Sequence, residues 1–342
     1  MFIIRHVLKL SSFGLLCIVS FVAKMNREII DKTNKFNKML NRIMPLLTPV
    51  AVIVGIILGD KISWMKGSVT YLFAVMTFFG AMKISVKEIG DTLKHPLYIV
   101  VFAIGSYIIM PLLAECIGMI FFHGDKDIIS GYNLLRAIPT GVVTSVWTTI
   151  LFGNLAATLS VLLLDTFLSP IMTPFLLKIF TGEAIAVDTS GMIKSLIIMV
   201  IIPSILALIF NHFYKEKIDS ELAPLSNPLS KIILFFVIAI NSSKVSDRII
   251  ENLSFSYIFI ALASLIIAVL GFIVGFSLSK LFKLERELAV SITVNVGMRN
   301  ISAALVLAIE FLPAAAALPV IFGIVFQQSV CATMGSLLFG RR

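Results

Sequence analysis

An arginine between two asparagines, in the run Asn295-Val296-Gly297-Met298-Arg299-Asn300, interrupts an otherwise apolar stretch near the C-terminus. A guanidinium is permanently charged and can only donate hydrogen bonds. At the centre of a bilayer an unpaired charge costs about 3 kcal/mol on insertion scales, so Arg299 needs a partner, a cavity or a ligand. Its planar fork suits either a buried carboxylate or the carboxylate of an anionic ligand. One carboxylate is well placed by spacing. Thr158, Leu162 and Asp165 recur at i, i+4 and i+7 and therefore share a helical face, whereas Glu115 and Glu310 fall nearer the ends of their apolar segments. A second polar run, Arg136 to Ser145, sets Pro139 and Gly141 among the hydroxyls of Thr140, Thr144 and Ser145. Broken helices survive in lipid only where the freed backbone groups line a protein cavity. The plainer reading is that Pro139 and Gly297 make ordinary kinks, with Thr and Ser bonded back to their own helix.

The elements that must carry these residues follow from composition. Hydrophobic residues make up 58% of the 342, charged residues only 14%, and mean hydropathy is +1.03, beyond what a water-soluble chain keeps buried. The apolar runs are continuous rather than alternating, which argues for helices and against a closed barrel. Spans are expected at 44–60, 68–86, 97–122, 128–152, 155–177, 191–213, 228–246, 253–282, 287–311 and 316–339, giving an all-α polytopic membrane protein of ten helices. Residues 1–43 would form an N-terminal extension and a lysine-rich amphipathic segment, and 44–340 the membrane domain. Residues 1–24 read in three ways: a signal peptide, an additional helix, or an upstream extension from a start misassigned ahead of Met25. Sixteen Lys and Arg fall on one side of the ten spans and seven on the other, which places both ends of the ten-helix unit in the cytoplasm, with the cell membrane as location. The net charge of +9 reflects this bias and anionic lipid, and gives no support for nucleic-acid binding. Cys17, Cys116 and Cys331 sit in apolar segments without metal-ligand spacing and read as small core residues.

The fourth and ninth segments are five apart, as a five-helix repeat requires, and an odd repeat inverts the second half relative to the first. Paired breaks at corresponding positions of two halves point to the binding site of a secondary transporter. At this point the chain resembles a known family. Pro139-Thr140-Gly141, Gly153-Asn154, Leu168 to Pro174, Gly297 to Ser302 and Leu312 to Pro319 are similar, in order and spacing, to the bile acid:sodium symporter family. The resemblance implies two inverted five-helix repeats. A panel of helices would run over 44–86 and 191–246, and a core over 97–177 and 253–339, where broken helices 4 and 9 cross. It also implies two sodium sites, which this chain alters. For the first site it offers Thr144, Ser145, Thr158 and Asn295, with Leu162 replacing one ligand and the family's glutamate neutralised as Asn295. For the second it offers Ser106 and the run from Asn295 to Arg299, where a guanidinium cannot coordinate a cation. No cofactor is implied; sodium at the degenerate first site is the one ion left open.

Two roles for Arg299 follow. In one, Arg299 and Asp165 form a buried pair that substitutes for sodium as an internal cation. In the other, Arg299 captures an anionic substrate with Asn300, Gln327, Gln328, Thr140 and Val142, the two glutamines alternatively serving helix–helix hydrogen bonds. Arg136, near a helix end, is expected to snorkel to the interface. His6, His95, His123 and His212 belong to no metal or hydrolase motif, and no Walker sequence is present, so neither an enzyme nor an ATP-driven pump is expected. The leading expectation is a secondary transporter of an organic anion with sodium coupling weakened or replaced. The alternatives are a sodium symporter retaining one site and a transport-inactive sensor or assembly partner. Asp165 is also the candidate proton carrier, although a neighbouring arginine would favour its ionised form and oppose that role.

Overall fold

The computed structural model describes residues 27–82, 96–182, 188–218, 222–243 and 256–340. Among the described residues the elements are helices, and the one extended pairing is an isolated bridge between Thr140 and Arg299. In chain order they are α1 Arg27–Leu58, α2 Val69–Ala81, α3 Pro96–Phe122, α4 Lys126–Ala137, α5 Thr144–Ile150, α6 Leu155–Thr181, α7 Thr189–Tyr214, α8 Ala223–Ser243, α9 Ser256–Leu281, α10 Arg286–Gly297, α11 Ile301–Phe311 and α12 Ala317–Phe339. Among the described residues six helices are long and apolar enough to cross a membrane: Pro96–Phe122, Leu155–Thr181, Thr189–Tyr214, Ala223–Ser243, Tyr257–Leu281 and Ala314–Phe339. The chain is therefore a polytopic membrane protein built from helices. Large apolar side chains such as Ile120, Ile171, Phe213 and Leu281 stand exposed on its outside, as a lipid-facing surface requires.

Local sequence explains where the helices begin and how they tolerate their prolines. Asp125 caps α4 by accepting from the backbone N–H of Asp127 and Ile128 at 3.2 and 3.3 Å. Asn154 caps α6 through Ala157 N–H at 2.9 Å. Inside α6, Pro170 has no N–H for the carbonyl of Thr166, and Ser169 Oγ donates to that carbonyl at 2.7 Å. The interior carries almost no formal charge: among the described residues the buried charged side chains are Arg136, Asp165 and Arg299.

Two sets of helices pack chiefly among themselves. α8 lies along α1 and against α2, and α7 packs on α2; α9 lies along α10 and α12, while α4 packs on α3, α6 and α12. Both segments expected to be broken are broken, 128–152 becoming α4 and α5, and 287–311 becoming α10 and α11. The predicted division at residues 43 and 44 falls inside one continuous helix, α1, which merges the lysine-rich segment with the first apolar run. The helix runs on through Pro45, Pro49 and Gly55 to Leu58, and the chain turns at Gly59, where φ is +45°. Cys331 is buried, but Cys116 is exposed on α3, contrary to a core role, because its helical face is turned outward with Leu112, Met119 and Ile120. Residues 1–24, the end of the 68–86 span, residues 244–246 and residues 253–255 lie outside the described residues.

Candidate functional site at the crossing of two broken helices

Pro139 supplies no N–H and disfavours helical geometry at the residue before it, so α4 stops at Ala137 and Ile138 turns extended at φ −68°, ψ 149°. α10 stops at Gly297, and Met298 is extended at φ −110°, ψ 112°. The two unwound stretches run antiparallel and pair. Asn300 N–H donates to Pro139 O at 2.8 Å and Gly141 N–H to Met298 O at 3.5 Å, which frames the Thr140–Arg299 bridge. Each break thus satisfies part of what the other exposes, as a membrane interior demands. Side chains take up the rest. Thr173 Oγ1 donates to Ala137 O at 2.8 Å, and Gln327 closes a reciprocal pair with the Arg299 backbone, accepting from its N–H and donating to its carbonyl, both at 3.0 Å.

Glycine makes the crossing close. A Cβ on Gly297 would lie 2.6 Å from the Phe272 ring, and one on Gly141 would lie 3.1 Å from the carbonyl oxygen of Arg299.

At this crossing the buried charges meet. Arg299 Nη1 is 3.1 Å from Asp165 Oδ2, with each side chain 1% exposed. The same carboxylate oxygen accepts from Thr140 N–H at 2.7 Å and from Thr140 Oγ1 at 2.6 Å, while Tyr107 Oη donates to Oδ1 at 2.6 Å. Thr140 Oγ1 in turn accepts from Arg299 Nη1 at 3.2 Å. The Asp165 carboxylate is therefore fully engaged, with donors from three different segments. Arg299 is less complete: its guanidinium lies 5.9 Å from the Phe102 ring centre, and its Nε and Nη2 have no hydrogen-bond partner.

The residues predicted for the first sodium site are held in other ways. Thr144 Oγ1 donates to Gly141 O, and Ser145 Oγ donates to Val142 O at 2.8 Å, so both hydroxyls turn back on their own chain. Thr158 Oγ1 pairs with Thr148 Oγ1 at 3.0 Å, and Asn295 Nδ2 donates to Tyr98 Oη at 3.1 Å, leaving Asn295 Oδ1 buried and unpartnered. These four side chains offer neutral oxygens only, and the oxygens of three of them, the hydroxyls, are already paired within the protein. Leu162 is buried one helical turn after Thr158, and Ser106 Oγ is buried without a partner.

The residues assigned to substrate are also committed. Thr140 belongs to the charge network, Asn300 caps α11 through Ala303 N–H at 3.3 Å, and Gln328 Oε1 accepts from Trp147 Nε1 at 2.7 Å. Gln327 serves the helix–helix alternative described above. Val142 is half-buried and faces Gly80 of α2.

Arg136 departs from expectation. It is 2% exposed and does not snorkel; Nη2 donates to Ile267 O at 3.1 Å, and Nη1 lies 3.4 Å from both Val296 O and Gly297 O. The reason is geometric: the end of a half-helix sits inside the protein, not at the interface. Spacing did not single out Tyr107, which bonds Asp165, nor Tyr98 and Thr148, which bond Asn295 and Thr158. Their only sequence signal is a polar group inside an apolar run.

Comparison with known proteins agrees with this architecture. The profile of the sodium bile acid symporter family matches residues 69–252. The chain is 36% identical over 295 residues to YbaS of Bacillus subtilis (strain 168), covering 86% of this chain and 96% of that one. It is 27% identical over 297 residues to the sodium-dependent transporter YocS of the same organism, covering 86% and 90%. Over 286 residues it is 24% identical to the probable sodium/metabolite cotransporter BASS2, chloroplastic, of Oryza sativa subsp. japonica, covering 81% and 66%. A match across more than half the chain, on a helical scaffold with crossed breaks, makes this protein a member of the sodium bile acid symporter family, a family of transporters rather than enzymes.

Proposed function

We propose that the protein carries an organic anion across the cytoplasmic membrane by alternating access, and that the Arg299–Asp165 pair stands in for a coupling sodium ion. The observation that carries this reading is the 3.1 Å contact between two charged side chains, each 1% exposed, at the crossing of the broken helices. A sodium ion there would serve to neutralise Asp165 and tie the two breaks together. Arg299 does both from within the chain, and an arginine cannot dissociate into solution.

The anion follows from charge. Among the described residues the buried charges are two guanidiniums and one carboxylate, and Nε and Nη2 of Arg299, which pairs with that carboxylate, keep donors unused. An anionic group supplies the missing acceptor and the missing charge together. The architecture proposed for the cycle is ten spans in two inverted five-helix repeats, with both ends of that unit cytoplasmic. The panel comprises α1, α2, α7 and α8, and the core the remaining helices. The preference of each set for packing within itself supports that division.

A second reading retains one sodium ion. The buried, unpartnered Asn295 Oδ1 favours it, as does similarity to relatives named as sodium-dependent. Uptake into proteoliposomes separates the two, with a radiolabelled bile-acid anion and a small monocarboxylate as probes, in sodium or choline medium of equal strength. Equal flux in both media is expected. Flux found only with sodium would overturn the substitution, and no flux of either probe in either medium would favour a transport-inactive sensor or partner.

A further inference from the structure

Of Asp165, Arg299, Thr140 and Tyr107, only Tyr107 reaches the protein surface; the other three are buried. It sits in a π-helical turn of α3, Ile104–Ile109, a kind of turn that recurs at functional sites. Its hydroxyl donates to Asp165 Oδ1 at 2.6 Å, and its ring meets that of Phe102 edge-on with centroids 5.9 Å apart. Phe102 in turn lies against the Arg299 guanidinium. Tyr107 also lines a groove of about 500 Å³ between α3 and α6, so one side chain links this groove to the buried pair.

Three features of the groove specify an occupant. It runs over residues 100–112 of α3 and 172–180 of α6, both membrane-crossing helices, which makes it about 12 to 18 Å long and parallel to them. Val100, Ile108, Leu112, Phe175 and Ile179 are exposed, so it opens sideways, where a spanning helix meets lipid. Among the lining residues the only side-chain hydroxyl, amide or charge is the Tyr107 hydroxyl, already committed to Asp165. A trapped water needs two or more polar partners, and a headgroup or a free anion needs donors, so neither fits. A straight alkyl chain matches the length, the direction and the chemistry. Ala103 contributes a single methyl to the lining and leaves room that a larger residue would fill.

We propose that the groove binds one acyl chain of a bilayer phospholipid, and that the bound chain packs on Tyr107 and holds its hydroxyl on Asp165. Lipid thereby supports the charge pair from the membrane side. The proposal depends neither on which anion is carried nor on the replacement of sodium.

The test uses the purified full-length chain in a sterol-based detergent, which has no alkyl chain of its own, with phosphatidylcholine bearing a photoactivatable acyl chain as the probe. Labelling should be several-fold higher over residues 100–112 and 172–180 than at the more exposed Ile120 and Leu281. Ala103→Trp, which fills the groove, should abolish that excess. Even labelling over the apolar surface would mean ordinary lipid solvation and overturn the site. An unlabelled groove would overturn it too, and if the chain then runs as a dimer the groove belongs to a second copy. The wild-type comparison needs no variant, so it stands if Ala103→Trp does not fold. Coupling is read by thermal unfolding. Unmodified phosphatidylcholine should raise the wild-type midpoint by about 3 °C at tenfold its half-saturating concentration. Tyr107→Phe keeps the ring without the hydroxyl; it should take the photolabel as wild type does and show a clearly smaller rise. An equal rise in both would overturn the role of Tyr107, and labelling of the wild-type groove without any rise would overturn the coupling.

Discussion

At the scale of single residues, the protein holds a charge in the membrane by surrounding it with committed donors. Asp165 accepts from Tyr107, from two donors of Thr140 and from Arg299. A buried pair of this kind is not in itself a source of stability, because desolvation of both groups opposes their attraction. Removing one partner is different, since the other is left as a buried charge. Asp165→Asn should therefore lower the unfolding midpoint in detergent, equivalent to a loss of about 3 to 5 kcal/mol. Arg299→Gln added to it should restore part of that loss. The pair was one of two roles legible in the sequence: the i, i+4, i+7 spacing puts Asp165 on the face of Thr158 while Glu115 and Glu310 fall nearer helix ends, and the other role was capture of an anionic ligand. Arg136 was not legible, since a residue three positions before a proline reads as a helix end near water. Only the fold reveals that this end lies against α9 and α10.

At the scale of elements, the two breaks form one structure. Each supplies backbone partners to the other, and α12 supplies a third through Gln327. Replacing Gln327 with Leu leaves an N–H of Arg299 without its partner in a water-poor interior, where an unsatisfied backbone group is costly. Gln328 bonds only a tryptophan side chain on α5, so its loss should matter less. Thermal unfolding of Gln327→Leu and Gln328→Leu should rank the first as the more destabilised, and the reverse order would show that the break does not depend on α12. The breaks themselves were readable from Pro139 and Gly297, whose chemistry is local. Their mutual pairing was not, because sequence separation carries no record of which unwound carbonyl meets which N–H. The lysine-rich segment and the first apolar run share one helix, α1, so the change from charged to apolar composition there is not a helix end.

At the scale of the whole molecule, the helices fall into two packed sets, and alternating access requires one to move against the other. α2 meets the first break where Gly80 faces Val142; a Cβ on Gly80 would lie 3.5 Å from that of Val142, within disulfide reach. Gly80→Cys with Val142→Cys should cross-link under oxidation and stop uptake, and reductant should restore it. Undiminished uptake by the fully cross-linked protein would mean the two sets do not move apart here. The central claim is more specific than motion: a charge pair inside the chain replaces a coupling ion. The most direct measurement is anion uptake by proteoliposomes in sodium-free medium for wild type, Asp165→Asn, Arg299→Gln and the double variant. The pair predicts uptake by wild type, its loss in each single variant and partial recovery in the double. Wild-type rates in Asp165→Asn, or uptake by wild type only when sodium is present, would contradict it.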